Sequence, residues 1–346
     1  MASQVEIAWE SPQYLRTSLA AAMTLGLKPG RFFRDAKPRC LNLLLTYSDG
    51  CRARCSYCGL AKQRRICGEQ TFIRVSWPTY SLQTIMKQLE QYSHPFERVC
   101  ISMVTHPRAH QDALELITEF HRRTDLLISV LVAPTALPDL KANLQSFRAA
   151  GAEMCGIALD AATPELFAAH RGSGVAGPHS WDRYWQSVSA AVEVFGRFKV
   201  GVHLIVGLGE TEAEMVQTIA KAHNLGAYTH LFSFFPEPGS ELAGYAQPPI
   251  GQYRRVQLAR YLINECGHDA KRIRYDSVGK IIDFGCEVEP VIAAGEAFMT
   301  SGCHGTTCRY ACNRPFGNER PSEPLRNYPF QPDERDLILI REQLQS

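Results

Sequence analysis

Three cysteines, Cys51, Cys55 and Cys58, lie within eight residues of the chain in the spacing C-x3-C-x2-C. They follow an apolar stretch, and the aromatic residue Tyr57 stands directly before the last of them. Three thiolates so close together can ligate three irons of a [4Fe–4S] cluster and leave the fourth iron open to a small molecule. A zinc knuckle or a disulfide pair is the alternative, but zinc usually takes four ligands from two separated pairs. The spacing therefore predicts an iron–sulfur cluster with one open iron.

A second group of three cysteines lies near the C-terminus. Cys303, Cys308 and Cys312 have the spacing C-x4-C-x3-C in a glycine-containing loop. Such a loop gives no packing reason for three thiols, so we predict that they ligate an auxiliary iron–sulfur cluster. A structural zinc site completed by His304 or Cys286 is the alternative. The candidates for a fourth ligand of the auxiliary cluster are Cys286, Ser301, Ser322 or none from the protein.

The remaining composition indicates an ordinary globular protein of 346 residues. A net charge of +2 gives no general attraction to nucleic acid or acidic membranes, and no apolar run approaches the ~20 residues that cross a bilayer. Twelve cysteines, without a signal-peptide pattern at the N-terminus, indicate a reducing compartment, so we expect a cytoplasmic protein. The cysteines outside both groups are expected to be small buried side chains: Cys40, Cys67, Cys100, Cys155 and Cys266.

Repeated βα units must position these cysteines. The short apolar runs predicted as strands are Leu41–Tyr47, Arg98–Val104, Leu127–Ala133, Met154–Leu159, Val200–Val206 and His230–Phe235. The helical patterns between them are Tyr80–Tyr92, Gln111–Thr124, Leu140–Ala150, Trp181–Phe195 and Thr211–Leu225. Nearly continuous apolar strands fit a parallel sheet covered by helices. The pattern predicts an α/β fold, a partial (β/α)6 barrel with the first cysteine loop at the C-terminal end of its first strand.

The chain divides into three predicted parts. Residues 1–36 form an N-terminal helical extension with a helix over Leu15–Leu27, and residues 37–248 form the core barrel. Residues 249–346 form a C-terminal extension that carries the auxiliary site and is expected to lie over the barrel mouth. The elements predicted within this extension are a helix at Gln252–Cys266 and a strand-like Arg272–Ile282.

Residues at the predicted strand ends are candidates for binding a ligand at the barrel mouth. Gly207 and Gly209 end one strand and open a helix, whose N-terminus favours a carboxylate or another polar group. Asp160 ends the fourth strand, and Ser102 and Thr105 offer hydroxyl groups at the end of the second.

Other polar residues near these strand ends have competing interpretations. Arg171 lies in the helix after the fourth strand, and a surface arginine is the alternative. His106 is expected to be a satisfied loop histidine, and Thr163 is expected to cap the helix that follows it.

The C-x3-C-x2-C motif with its aromatic residue resembles the signature of the radical S-adenosylmethionine (SAM) superfamily, which chelates SAM at the open iron. The resemblance implies reductive cleavage of SAM to methionine and a 5′-deoxyadenosyl radical. The family often carries a Gly-Gly-Glu-Pro-like turn after its second strand, whereas this chain reads Ile101 to Pro107 there without glycine or glutamate. The roles that the resemblance implies are Tyr57 against adenine, Gly207 and Gly209 near the adenosine, Ser102 or Thr105 at the amino group, Arg171 at the carboxylate, and Arg171 with Asp160 as catalytic residues.

Two groups of three cysteines also resemble the sulfur-inserting members of that superfamily. The segments Thr24–Phe32, Thr46–Cys51 and Cys312–Pro315 look like the two-component lipoyl synthase, whereas the single-chain lipoyl synthase has its auxiliary cysteines N-terminal to the SAM motif. The resemblance implies SAM and two [4Fe–4S] clusters, one of which donates sulfur to an unactivated carbon of an octanoyl chain. The implied partners are an octanoylated lipoyl-carrier protein or peptide, a second radical SAM component, and an electron donor such as ferredoxin or flavodoxin.

Other functions fit the same motifs. A biotin synthase-like sulfur insertion would keep the fold and change the substrate, and an auxiliary cluster could instead transfer electrons. A cluster carrier without turnover is a different class, and it would have no need of an open iron. Phe232, Phe234 and Phe235 could line an acyl channel, with ordinary core packing as the alternative for at least half of them.

Overall fold

The computed structural model of the chain describes residues 9–64, 71–72, 74–312 and 324–346. The strands are β1 (Tyr14–Thr17), β2 (Cys40–Leu45), β3 (Thr71–Phe72), β4 (Val75–Ser76), β5 (Thr79–Ser81), β6 (Arg98–Ser102), β7 (Leu127–Val132), β8 (Met154–Asp160), β9 (Val200–Val206), β10 (Tyr228–Ser233), β11 (Arg274–Tyr275) and β12 (Ile281–Asp283). The α-helices are α1 (Leu19–Thr24), α2 (Leu82–Gln91), α3 (Ala109–Arg123), α4 (Leu140–Ala149), α5 (Pro164–His170), α6 (Trp181–Phe195), α7 (Glu212–Leu225), α8 (Ile250–Cys266), α9 (Glu289–Ala294) and α10 (Glu334–Gln345). The predicted residues Cys67, Ser322 and 313–315 lie outside this description.

Most of these strands belong to one sheet, in the order β10-β9-β8-β7-β6-β2-β1-β5. The strands β2, β6, β7, β8, β9 and β10 are parallel and follow one another in chain order, with helices in the connections between them. Strands β2 and β6 are buried along their whole length. Burial on both faces is expected where helices cover the outside of a parallel sheet and side chains fill the inside. The predicted partial (β/α)6 barrel is confirmed.

The N-terminal segment differs from its predicted helix over Leu15–Leu27. Strand β1 pairs antiparallel with β2, with Leu15 opposite Leu45, and only α1 is helical. Leu15 is fully buried in the core, and Ser18 caps α1 by accepting a hydrogen bond from Ala21 N. Pairing with the exposed edge of β2 satisfies the backbone groups of both strands, and this tertiary contact overrides the local helical preference of an alanine-rich segment.

The C-terminal part packs against α8 in a second hydrophobic cluster that includes Leu258, Phe298 and Tyr328. The predicted helix there is α8, and the strand-like segment is a hairpin in which β11 pairs antiparallel with β12. Among the described helices, none combines the length and the apolar character that crossing a membrane requires.

The segment 300–312, which carries the second cysteine group, lies at the N-terminal ends of the parallel strands. Arg98 Nε, at the start of β6, donates to the His304 carbonyl oxygen over 2.6 Å. Thr307 N donates to Glu97 Oε2, directly before β6, over 2.8 Å. The expectation that the extension covers the barrel mouth is therefore wrong for this segment, because buried and partly buried polar groups at the strand starts hold it at the floor of the barrel.

Candidate active site at the mouth of the barrel

The predicted cluster loop begins after β2, at the C-terminal ends of the parallel strands. Cys55 is buried, Cys51 and Cys58 are partly exposed, and all three line the same cavity. Burial raises the pKa of the Cys55 and Cys58 thiols, so the free thiols stay protonated near neutral pH. Cluster binding at this loop would therefore release protons, as it does wherever thiolates bind metal.

Neighbouring strand ends fix the main chain of the loop. Arg52 N donates to the Thr105 carbonyl oxygen over 2.8 Å, and Ser56 N donates to that of His170 over 2.9 Å. The His170 ring then joins two elements: its Nδ1 lies 2.9 Å from Ser56 Oγ, and its Nε2 lies 3.0 Å from the Leu208 carbonyl oxygen. Since these contacts come from β6, α5 and the end of β9, the barrel itself positions the cysteines.

A hydrogen-bonded chain links the loop to the end of β8. The Tyr57 hydroxyl donates to Asp160 Oδ2 over 2.5 Å, and Arg171 Nη1 lies 3.3 Å from the same oxygen. Asp160 has φ +65°, in the left-handed region, where β8 shifts its register against β9. A residue other than glycine adopts this conformation only where its surroundings impose it, and such strain is concentrated at functional sites. The three predicted side chains therefore form one unit.

Arg171 is 5% exposed, so the alternative of a surface arginine is wrong. Its guanidinium donates to the carbonyl oxygens of Ala158 and Leu159 and to the Tyr184 hydroxyl, the last two over 2.9 and 3.2 Å. The positive charge also lies beside Cys55, where it opposes the burial that raises the pKa of this thiol. Arg171 thus places a fixed positive charge between the cysteine loop and the interior of the cavity.

The cavity above the strand ends combines a few polar groups with extensive apolar walls. Ser102 and Thr105 both line it, as predicted for groups that would contact a ligand. Phe232, Phe234 and Phe235 line it as well. The other apolar wall residues include Leu44, Met103, Val104, Leu131, Val132, Ala133 and Ile205. Few convergent polar groups in an apolar concavity are the usual composition of a small-molecule site.

Gly207 and Gly209 are absent from the described lining of this cavity. Both have positive φ, and a Cβ on Gly207 would collide with the Pro248 ring at 2.7 Å. The main-chain amides of Gly207 and Leu208 already donate to the Glu210 carboxylate over 2.7 and 2.9 Å. The turn therefore needs glycine for its backbone conformation and packing. Its amides, which we predicted would bind a ligand, donate instead to the carboxylate of Glu210.

His179 was not predicted, although it is buried and lines the cavity. Its Nδ1 lies 2.8 Å from Thr135 Oγ1 and 3.2 Å from the Tyr184 hydroxyl. Burial, assisted by the charge of Arg171, lowers the pKa of His179 to about 3, so the ring is neutral near pH 7. A lone histidine before α6 carries no spacing signal that would have identified it.

Glu237 was also missed, and its carboxylate is nearly fully buried in the cavity wall. It accepts a hydrogen bond from Arg74 N over 2.7 Å and pairs with Arg64 at 3.2 Å. These contacts tie the segment after the cysteine loop to the end of β10. Glu237 follows a predicted strand, so the rule that selected Asp160 would have found it.

Two residues near the site have structural roles, as expected. His106 stacks on Tyr47 at 3.7 Å, and its Nε2 lies 3.0 Å from Asp49 Oδ1. Thr163 caps α5 by accepting a hydrogen bond from Leu166 N over 3.2 Å. Neither needs a ligand to satisfy its polar atoms.

The second cysteine group lies at the opposite end of the barrel, and the structure divides it. Cys303 and Cys312 are buried in one cluster with Cys40 and Cys100. Cys308 is only partly buried, and its Sγ lies 3.5 Å from Glu97 Oε2. Cys40 and Cys100 are buried, as expected, but beside the predicted ligands.

The candidate fourth ligands differ in position. His304 Nδ1 lies 2.8 Å from the Arg309 carbonyl oxygen, and Cys286 packs against the second hydrophobic cluster. Ser301 lines a small cavity together with Cys303 and Cys312. Of the three, Ser301 alone shares a cavity with predicted cysteine ligands.

Comparison with known proteins identifies the family. The model of the radical SAM superfamily matches residues 45–222, just over half of the chain. The structure of HydG, a maturase of the [FeFe]-hydrogenase, is similar with a TM-score of 0.51 and 12% identity. The match covers 71% of this chain and 52% of the HydG chain. HydG from Carboxydothermus hydrogenoformans has a TM-score of 0.46 and 15% identity, with 65% and 51% coverage. Coproporphyrinogen III oxidase (HemN) from Escherichia coli has a TM-score of 0.38 and 14% identity, with 61% and 48% coverage.

These likenesses concern the fold. The chain spans about half the length of the solved HydG structures that it matches. No curated protein sequence matches it significantly. The family match starts at the end of β2, includes the three cysteines of the mouth and extends into α7, so it covers the region in which the barrel positions the cysteine loop. The chain therefore belongs to the radical SAM superfamily.

Proposed function

We propose that this protein is a radical SAM enzyme that inserts sulfur into an unactivated C–H bond of an octanoyl chain on a carrier protein or peptide, as a component of a lipoyl synthase. The observation that carries the proposal is that thiols lie at both ends of one barrel interior. Leu131, His203 and Phe232 line both the mouth cavity and the smaller cavity beside Cys303 and Cys312. A substrate in the mouth cavity would therefore lie between the two groups of thiols.

Membership of the superfamily implies a [4Fe–4S] cluster and SAM, and the residues at the mouth fit both. Cys51, Cys55 and Cys58 supply three thiols on one cavity wall, which leaves one iron without a protein ligand. When bound, the cluster supplies the electron that cleaves SAM and so provides the radical that abstracts hydrogen. Arg171, whose guanidinium is held by Asp160, would offer its positive charge to the carboxylate of SAM.

The walls of the cavity support an acyl substrate. Phe232, Phe234 and Phe235, with the aliphatic side chains of β2, β7 and β9, give the interior an apolar surface that excludes water. Burial of an octanoyl chain there is favourable by about 0.8 kcal/mol for each methylene removed from water. Exclusion of water also protects a reactive radical from side reactions.

The sulfur would come from an auxiliary cluster at the floor. In the overall change, the C–H hydrogen would leave in 5′-deoxyadenosine, and a sulfide of the auxiliary cluster would exchange a bond to iron for a bond to the carbon. The electron released in that exchange would reduce the iron of the auxiliary cluster. The electron for SAM cleavage would come from a donor such as ferredoxin or flavodoxin, and a second radical SAM component would perform the other insertion. The burial of Cys303 and Cys312 supports their part in this site more strongly than the partly exposed position of Cys308 does.

The test is an anaerobic turnover with an octanoyl-lysine peptide. The chain is reconstituted with iron and with sulfide carrying a heavy sulfur isotope, then mixed with SAM and dithionite. We expect 5′-deoxyadenosine and a peptide that has gained labelled sulfur. Cys303→Ala serves as the control, because it should cleave SAM without labelling the peptide.

Two outcomes would contradict sulfur insertion into an octanoyl chain. Formation of 5′-deoxyadenosine with an unchanged peptide and an intact auxiliary cluster would favour electron transfer by that cluster. Thiolation of dethiobiotin, with no thiolation of the octanoyl peptide, would favour the biotin synthase-like alternative.

A further inference from the structure

The inner face of the barrel floor carries an unusual set of side chains. Successive residues of a strand point to opposite faces, so Cys40 and Asn42 of β2 share one face. Asn42 is paired in register with Cys100 on β6, which places Cys100 at the same level of the interior. Ser129 of β7 and His230 of β10 line the same small cavity as Cys100. The interiors of small barrels are usually filled by branched apolar side chains. The polar and thiol side chains at this height of the barrel therefore indicate a role other than packing.

The C-terminal segment adds two more thiols to this level. Cys303 and Cys312 pack with Cys40 and Cys100 in a single buried cluster, in which each cysteine is at most 8% exposed. The Cys40 and Cys312 thiols lie within hydrogen-bonding reach of each other. Four thiols from three distant parts of the chain thus meet in the interior.

Hydrogen-bond donors and a buried charge surround these thiols. Asn42 Nδ2 lies 3.4 Å from Cys40 Sγ and 3.8 Å from Cys312 Sγ, so one amide reaches two sulfurs. Arg98 is 2% exposed, and its positive charge lies within electrostatic reach of Cys303. Hydrogen bonds to sulfur and nearby positive charge are the features that stabilise thiolate-ligated clusters in proteins.

The same cavity contains a buried polar atom that has no partner. Nε2 of His230 makes no hydrogen bond to any described residue, although the side chain is 4% exposed and its Nδ1 lies 3.3 Å from Ser301 Oγ. A buried, unsatisfied ring nitrogen costs about 1–3 kcal/mol unless a partner is supplied. A bound group between the thiols and this ring would supply one.

We propose that Cys40, Cys100, Cys303 and Cys312 together hold an iron–sulfur cluster at the floor of the barrel. The inference deepens the proposed function, since it names the protein ligands of the auxiliary site, but it does not depend on sulfur insertion. Two ligands come from strands of the barrel and two from the C-terminal segment, so binding the cluster also fastens that segment to the floor. Cys308, beside Glu97 nearer the surface, is outside this ligand set.

The ligand set is more typical of a cluster than of a single ion. Among the residues that the structure describes, no three His, Cys, Asp or Glu side chains converge on the position of one metal ion. An iron–sulfur cluster makes a different demand, because each of its thiolates binds a separate iron. A small cavity is lined by three of the four thiols, those of Cys100, Cys303 and Cys312.

The experiment counts iron in a full-length chain in which Cys51, Cys55 and Cys58 are replaced by alanine, so that the mouth no longer contributes. After anaerobic reconstitution, we expect about four irons and an equal amount of sulfide per chain. In this background Cys40→Ala, Cys100→Ala, Cys303→Ala and Cys312→Ala should each lose most of the iron. Cys155→Ala is the matched control, because Cys155 is a buried strand cysteine that packs in the main hydrophobic core, and it should keep the iron. Cys308→Ala should also keep it.

Three results would overturn the proposal. One is loss of iron in Cys308→Ala while Cys40→Ala and Cys100→Ala keep it, and another is binding of zinc without sulfide. The third is loss in Cys155→Ala equal to that in the four variants. Circular dichroism before reconstitution shows whether each variant folds, and serine variants, Cys40→Ser and Cys100→Ser, replace any alanine variant that does not. Because no substrate is present, failure here is distinct from failure of sulfur insertion.

Discussion

The two ends of the barrel assemble their thiols in different ways. At the mouth, three cysteines come from one short loop, and the strand ends only hold that loop in place. At the floor, Cys40 and Cys100 lie on strands, whereas Cys303 and Cys312 come from a segment about 200 residues further along the chain than Cys100. The thiols of the mouth form a local sequence motif, whereas those of the floor come together only when the chain folds.

The electrostatic surroundings differ as well. Arg171 at the mouth pairs with Asp160, which is itself enclosed, and both residues line the cavity of the mouth. Arg98 at the floor pairs with Glu153, whose side chain is 46% exposed. Its guanidinium also donates hydrogen bonds to Ser129 Oγ and to the His304 carbonyl oxygen. The mouth thus encloses its charge pair, whereas at the floor the carboxylate partner of the buried arginine lies towards solvent.

The largest expected effect follows from removing one thiol of the mouth. Cys58→Ala should abolish 5′-deoxyadenosine formation, because a cluster with two remaining protein ligands cannot present SAM. The product is measured by chromatography after anaerobic incubation with SAM and dithionite. Cys286→Ala is the control and should retain the activity, since Cys286 packs in the second hydrophobic cluster. Normal SAM cleavage by Cys58→Ala would refute the assignment of the mouth.

Removing one thiol of the floor should separate the two activities. Cys303→Ala is expected to cleave SAM, since the mouth is intact, and to form no thiolated octanoyl peptide. Mass spectrometry of the peptide and 5′-deoxyadenosine in the same sample give the ratio of the two products. If the variant thiolates the peptide as well as the unchanged chain does, the floor is not the sulfur source.

The sequence predicted the barrel because its strands are long apolar runs whose type is decided locally. It failed at Leu15–Leu27, where pairing with β2 decides the structure, and it could not place the segment 300–312, whose partners Glu97 and Arg98 are distant in the chain. Local patterns carry no information on such contacts. The predicted fold was therefore correct for the repeated βα units. It was wrong for the two segments whose structure depends on contacts with residues distant in the sequence.

The candidate site shows the same division. The cysteine motif indicated Tyr57, the strand-end rule indicated Asp160, and the resemblance to the superfamily indicated Arg171. The structure joins these three residues through hydrogen bonds and an ion pair. The strand cysteines of the floor were overlooked, although period-two alternation along β2 and β6 places Cys40 and Cys100 on the inner face. What could not be predicted is that Cys303 and Cys312 would meet them.

The charge pair of the mouth should matter more for stability than that of the floor. Asp160→Asn leaves the buried Arg171 without its carboxylate and should lower the free energy of unfolding by about 3 kcal/mol. Glu153→Gln removes an exposed partner of Arg98 and should cost about 1 kcal/mol or less. Denaturant unfolding of the chain before reconstitution measures both. Equal losses in the two variants would contradict the distinction between the ends.

The smallest expected effect concerns Glu210, whose carboxylate accepts hydrogen bonds from Gly207 N and Leu208 N. Burial raises the pKa of Glu210 from 4.5 to about 7, against the opposite effect of these amides. The folded state therefore binds more protons than the unfolded state between pH 4.5 and about 7, so the free energy of unfolding falls as the pH rises through this window.

Glu210→Gln should remove this dependence, which has a slope of at most about 1.4 kcal/mol per pH unit. The measurement is the difference in unfolding free energy between the original chain and the variant, because other titrating groups, His179 among them, contribute equally to both. If that difference is flat across the window, the amides outweigh burial and the turn after β9 carries a negative charge at neutral pH. A charged turn would oppose a SAM carboxylate there and leave Arg171 as its partner.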